Sequence, residues 1–327
     1  MTVPGFCTQC GCAAPEESIR CAGCDALLPF GDARDHPRRL ARDLAVALGS
    51  GFEVVGLLGR GGFAHVLKVK DRAADRWLAA KFVAPELTAS QSAMERFRRE
   101  TAMAEVLSHP NIVPILFARA TDDFAYAVMP LVEGEPLAER LARDGALPLA
   151  VAAGIVRDVA AALDAAHAAG IVHRDVKTDN ILLEAGSGRA LLADFGVAMA
   201  EDGPRRLTAT GFVLGTPHYV SPEQASGERT LDGRTDVYSL GVVAYEMLAG
   251  RPPYVAENPS AVYAMHVVAP VPDVRAARPE VPDVWARAVA RALAKDPADR
   301  FATAGAFAAA MTTEPAPGGP IVAADTR

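Results

Sequence analysis

No cysteine follows residue 24 in this chain of 327 residues. A disulfide framework spread through the fold is therefore excluded, and an apolar core must hold most of the chain together. Basic charge is not in excess either: 33 Lys and Arg stand against 40 Asp and Glu, a formal net charge of −7. Such a balance creates no global field toward nucleic acid or anionic lipid. No uninterrupted apolar run reaches the roughly 18 residues that read as a membrane span. The opening MTVPGFCTQC has neither the basic nor the apolar region of a secretory signal. These absences predict a cytoplasmic protein with no membrane span and no nucleic-acid partner. What the chain does have is length and a hydrophobic content of 50%. That is enough for one large two-lobed domain and a small appendage.

The appendage is where the cysteines are. Cys7-x2-Cys10 and Cys21-x2-Cys24 each run on to a proline, Pro15 and Pro29, so the two halves repeat one another. Each turn can offer two thiolates to one tetrahedral ion, and together they complete four sulfur ligands. Gly11 and Asp25, just after the two turns, tolerate the left-handed backbone that aims amides back at sulfur. The pattern resembles a short four-cysteine zinc ribbon over residues 1–30, with structural Zn²⁺ as its implied metal. Too small to bury a core, such a segment would take its folding energy from metal binding. A rubredoxin-type iron site fits the same ligands, and disulfides are the third reading, disfavoured in a cytoplasmic chain. Cys12 is left over. Residues 31–51 mix Arg34, Arg38, Arg39 and Arg42 with Asp32, Asp35 and Asp43, which predicts a solvated linker ending in a short helix up to Leu48.

The remainder is organised around IVHRDVKTDNILLEAGSGRALLADFG, residues 171–196. Ile181–Leu183 and Leu191–Leu192 predict two short strands joined at Gly186–Gly188. A hairpin there holds the polar loop His173-Arg174-Asp175 to Asn180 on one side and Asp194-Phe195-Gly196 on the other. Two carboxylates and an amide then converge, which suits a divalent cation and a polyphosphate.

These motifs resemble the eukaryotic-type Ser/Thr protein kinases of bacteria. The resemblance implies an α+β, bilobal kinase fold over residues 52–311, with a β-rich small lobe containing one helix and a mainly helical large lobe. It implies that Asp175 accepts the acceptor hydroxyl's proton and that Asn180 and Asp194 ligate Mg²⁺ or Mn²⁺. Lys177 in this loop favours Ser/Thr over Tyr acceptors. Further matches follow the family's order. Gly59 and Gly61 precede Val66 in a loop that covers the ATP phosphates, although Ala64 stands where the third glycine is usual. Lys81 lies in an apolar strand, where a lone ammonium needs a partner. Glu100 supplies it from a helix whose Met94, Phe97, Thr101, Ala104 and Leu107 form an inward stripe. Met129 guards the back of the adenine pocket, and backbone groups around Leu131 and Val132 hold the adenine.

In the predicted large lobe, Leu149–Ala169 is a helix with Ile155, Val159, Leu163 and Ala166 on one face. The activation segment ends at Ser221-Pro222-Glu223, with Ser for the family's Ala. Thr216 belongs to its acceptor platform and bonds Asp175 and Lys177; Thr208 and Thr210 are the candidate autophosphorylation sites, with Arg174 as cation. Asp236 opens a buried helix and braces the catalytic loop, and Arg300 pairs with Glu223. Residues 312–327 read as a disordered tail. The implied partners are ATP and protein substrates, with a homodimer as one arrangement for autophosphorylation in trans. A pseudokinase scaffold is the alternative from another class, with only Ala64 in its favour. A small-molecule phosphotransferase fits poorly, since such enzymes generally lack this full activation segment.

Overall fold

A computed structural model of the protein describes residues 12, 21, 23, 37–60, 64–83, 97, 101–102, 104–121, 124–195, 217–228 and 230–312. Cys7, Cys10, Cys24, Gly61, Glu100, Thr208, Thr210, Thr216 and the tail 313–327 lie outside these residues.

Helix α1 (Pro37–Leu48) leads into a sheet of β1 (Phe52–Arg60), β2 (Ala64–Asp71), β3 (Arg76–Val83), β4 (Phe117–Ala120) and β5 (Ala125–Pro130). All neighbours pair antiparallel, in the order β1-β2-β3-β5-β4. The strand alternation sorts β3 into two faces. Leu78, Ala80 and Phe82 join one core with Leu67, Val69, Tyr126 and Val128, while Ala79 joins the other, larger core together with Met129. Lys81, two residues from Ala79, shares its face.

The first core holds a correction. Leu40, Ala41 and Leu44 of α1 are buried in it, at 2%, 0% and 0% exposure. The short helix expected up to Leu48 is present, but its apolar face is packed instead of solvated, and it roofs the small lobe. Away from the core, Arg42 is exposed and Arg39 meets Asp43 one turn on, at 3.8 Å. The joint is stitched as well, since Gly49 N donates to Ala45 O, Phe52 N to Gly49 O and Arg72 N to Gly51 O.

Beyond β6 (Gly134–Pro136) the chain becomes mainly helical: α2 (Leu137–Asp144), α3 (Leu149–Ala168), then the hairpin β7 (Ile181–Glu184) and β8 (Ala190–Leu192). In α3, Ile155, Val159, Leu163 and Ala166 are buried. The hairpin pairs Ile181 with Leu192 and Leu182 with Leu191, and Gly186 and Gly188 take φ of 81° and 68° in its turn. Gly134, where β6 meets β7, admits no side chain: a Cβ would sit 2.0 Å from Leu183 O. After α4 (Pro222–Ala225), α5 (Arg234–Ala249) is buried at every residue from Thr235 to Tyr245. Helices α6 (Pro259–Val268), α7 (Asp283–Ala292) and α8 (Ala304–Thr312) complete the lobe.

One buried group of this lobe carries a stability prediction. His266 of α6 is fully buried between the rings of Tyr238 and Tyr254, and its Nδ1 is 2.9 Å from the Tyr238 hydroxyl. Burial, then the Lys295 charge, push its pKa from 6.5 down to about 3. Between those values the unfolded chain binds the proton and the folded chain does not, so stability falls as pH falls. The slope from this group is about 1.4 kcal/mol per pH unit below 6.5. In urea unfolding at pH 7.5 and 5.0, the wild type is expected to lose roughly 2 kcal/mol more than His266→Asn. Equal losses in both proteins would refute this assignment.

Candidate active site

The loop before β7 and the turn after β8 meet because the hairpin returns the chain to its starting point. Ala193 is held from both sides: its amide donates to Asn180 O at 2.8 Å, and its carbonyl lies 2.9 Å from His173 Nε2. Asp175 N donates to His173 Nδ1 at 3.2 Å, which leaves the ring proton on Nε2 to bond Ala193. The His173 ring also meets Phe195 edge-on at 4.5 Å, and Phe195 is buried.

Two non-glycine residues at the site adopt left-handed backbone, Arg174 with φ 66° and Asp194 with φ 71°. Such geometry persists only where the surroundings enforce it. For Arg174 the enforcement is visible. Asp236, with no exposed surface, accepts from His173 N and Arg174 N, both at 2.8 Å, and Gln224 Nε2 donates to Arg174 O at 2.8 Å. His167 of α3 bonds the same Asp236 carboxylate at 2.7 Å.

Asp175 thus sits on a clamped loop. Its Oδ2 accepts from Lys177 Nζ at 2.7 Å and Asn180 Nδ2 at 3.0 Å. Burial alone would raise its pKa, but the Lys177 charge and hydrogen bond, with help from Asn180, hold the carboxyl below the ordinary carboxylate value. The group is an ionised base at neutral pH. Since Asn180 gives its NH₂ to Asp175, its carbonyl oxygen remains for other work. Lys81 Nζ, from β3, reaches Asp194 Oδ2 at 2.6 Å. An amide oxygen and a carboxylate are hard donors that suit Mg²⁺ or Mn²⁺, with phosphate and water to fill the remaining positions.

Toward the seam, Val66 pairs with Lys81 across β2 and β3, and Met129 pairs with Ala79. Leu131 N donates to Trp77 O at 3.2 Å, so that amide is committed to the protein. Val132, next along, is the amide left to consider for a base. Gly59 lies in β1, where a Cβ would meet nothing within 4 Å. Below the site, Arg300 donates through both terminal nitrogens to Glu223, at 2.8 and 2.7 Å, and Thr235 adds a bond of 2.7 Å.

Three functional contacts were missed by the sequence reading. Ser221 is the N-cap of α4, in a reciprocal capping box with Gln224; the Ser-x-x-Gln spacing could have shown it. The His167–Asp236 bond and a bond from Thr178 to Tyr219 link residues 69 and 41 apart, for which no local signal exists.

A β-rich lobe over a helical one, with Lys81 at the seam and Asp175 in a clamped loop below, is the bilobal kinase architecture. The family model for the protein kinase domain matches residues 52–311, and the chain belongs to that family. It is 38% identical over 257 residues to the probable serine/threonine-protein kinase CPE1738 of Clostridium perfringens, covering 79% of this chain and 37% of that protein. To the serine/threonine-protein kinase Pkn1 of Myxococcus xanthus it is 36% identical over 324 residues, covering 94% of this chain and 45% of that one. That likeness reaches beyond residues 52–311. The crystal structure of the Mycobacterium tuberculosis PknI kinase domain matches with a TM-score of 0.65 at 33% identity, over 80% of this chain and 94% of that one. The chain spans less than half the length of the two full-length relatives. Nothing among the described residues favours the scaffold reading. Nor does any helix among them have the length and apolarity to cross a membrane.

Proposed function

We propose that this protein is an active Ser/Thr protein kinase that transfers the γ-phosphoryl group of ATP to protein hydroxyls. The observation that carries this reading is the ionised Asp175 carboxylate, fixed between Lys177 and Asn180, with the Asn180 backbone carbonyl bonded to Ala193, the neighbour of the Asp194 that Lys81 reaches. The acceptor hydroxyl attacks the γ-phosphorus, its proton passes to Asp175, the bond to the bridging oxygen breaks, and ADP leaves. Lys81 shifts from Asp194 to the phosphates as nucleotide enters, and Glu100 is the partner that then steadies it. Asn180 and Asp194 would hold Mg²⁺, which would supply neutralisation of the phosphate charge. Gly59, Gly61 and Val66 cover the phosphates, and Met129 and Val132 line the base.

Thr208 and Thr210 are proposed as autophosphorylation sites, modified in trans within a transient homodimer. Among the described residues, Arg174 Nε is buried without an acceptor, and a phosphate would supply one. Thr216 completes the platform beside Asp175 and Lys177. The protein acts in the cytoplasm. Incubation with Mg-[γ-³²P]ATP and a basic Ser/Thr acceptor should label both acceptor and kinase, with the kinase label mapping to Thr208 or Thr210. ATP binding without any label would return the reading to a scaffold.

For the amino-terminal segment we propose a structural zinc site at Cys7, Cys10, Cys21 and Cys24. Support comes from Cys21, which is 3% exposed and whose sulfur accepts from Gly23 N at 3.3 Å. An amide two residues on, aimed at sulfur, suits a thiolate turned toward a metal. Elemental analysis of protein purified without added metal is expected to give one zinc per chain, lost in Cys21→Ser. Iron, or no metal, would remove the zinc assignment.

A further inference from the structure

Thr178 is 2% exposed and opens the single 3₁₀ turn, Thr178–Asn180, that delivers Asn180 to the site. Its Oγ1 lies 2.8 Å from the Tyr219 hydroxyl. Tyr219 donates to Glu246 Oε2 at 2.6 Å. A phenol has one proton, so the Thr178 hydroxyl must be the donor to Tyr219, and the order runs Thr178 to Tyr219 to Glu246. Tyr219 is held at its backbone as well, where its carbonyl accepts from Ser239 Oγ at 2.8 Å. Glu246 and Ser239 both belong to α5, whose Asp236 clamps His173 and Arg174. The tyrosine is therefore fixed to the same helix that fixes the catalytic loop, and Thr178 closes the circuit.

We propose that Thr178 is a positioning residue for the protein acceptor, tying the loop that bears Asp175 to the segment, just before α4, on which the acceptor lies. This rests on the kinase reading above. On one side Thr178 adjoins Lys177, which touches Asp175; on the other it leads to Asn180. Among the described residues, the other side-chain hydrogen bond to this loop from nearby comes from α4 itself, Gln224 to Arg174 O. The hydroxyl therefore sets the height of the acceptor over the base. Asn180 keeps anchors of its own: its amide donates to Lys177 O at 3.1 Å, its backbone carbonyl accepts from Ala193 N at 2.8 Å and its Nδ2 donates to Asp175 O at 2.8 Å. The nucleotide side of the site thus does not depend on that hydroxyl.

The test measures full kinetics of the full chain with a Ser/Thr peptide and Mg-ATP. Thr178→Val keeps the shape and removes the donor. It is expected to lower kcat/KM for peptide about five- to tenfold, the effect of one lost buried hydrogen bond, with the KM for ATP within about twofold. Thr178→Ser should restore the peptide kinetics. Combining Thr178→Val with Tyr219→Phe should cost no more than the worse single change. A valine variant equal to wild type, parallel losses for peptide and ATP, a serine variant as poor as valine, or additive effects would each overturn the proposal. Should the valine protein fail to fold, Thr178→Ala, which also removes the donor, takes its place under the same readouts. A silent wild type would overturn the kinase reading, and this proposal with it.

Discussion

Exchanging Asp175 for Asn is expected to slow phosphoryl transfer to a Ser/Thr peptide by about 10²–10⁴-fold, the contribution of a positioned general base. The variant keeps an oxygen for Lys177 and Asn180, which approach the wild-type carboxylate at 2.7 and 3.0 Å. What it loses is the capacity to take a proton. The loop itself should stand, because Asp236 and Gln224 hold its backbone independently of that side chain. The loss should thus fall on kcat, with the KM for ATP little changed. A pH profile adds a second check. Asp175 works deprotonated and its carboxyl is held below the ordinary value of 3.8, so activity due to this group is full above that value and fades only at lower pH. No acid limb from Asp175 should appear between pH 5 and 8. A variant retaining a tenth or more of the wild-type rate would remove Asp175 from the role of base.

Breaking the Glu223–Arg300 pair from one side should be the largest single loss of stability. Arg300 has no exposed side-chain surface and Glu223 only 5%. Burial works to raise the Glu223 pKa, yet the hydrogen bonds and charge of Arg300 bring it below the ordinary value, so the pair is ionised. Arg300→Met leaves a carboxylate in an apolar lobe with Thr235 and its own backbone amide as partners and no countercharge from Arg300, at a cost of about 3–5 kcal/mol. For a domain of this size that lowers the melting temperature on the order of 10 °C. Adding Glu223→Gln should recover part of the loss, since the stranded charge is then gone. Urea unfolding of the singles and the double measures this. A single variant within 1 kcal/mol of wild type would show that water reaches the pair.

What could be read from the sequence was what short range determines. The hairpin registers, the buried stripe of α3 and the alternation of β3 each follow from periodicity within one element. The α1 stripe was also present in the letters, as Leu40, Ala41 and Leu44. Arg38, Arg39, Arg42 and Asp43 surround it, and a short charged helix gives no sign of whether a sheet waits to receive it. Ser221 shows how a family comparison can mask chemistry: read as a replacement for alanine, its capping role went unnoticed. The bonds of Thr178 and His167 depend on partners that only the closed fold brings near, so no spacing announces them.

The joint between α1 and the sheet has one more consequence. Between Leu48 and Phe52 stand only Gly49, Ser50 and Gly51, and hydrogen bonds take up that length. A helix of twelve residues is a rod about 18 Å long, and this rod is bolted along its flank with no slack at its end. Helix and sheet therefore make one piece, and any swing of the small lobe against the large one carries the rod with it, so Pro37 at its far end moves as a fixed point of that lobe.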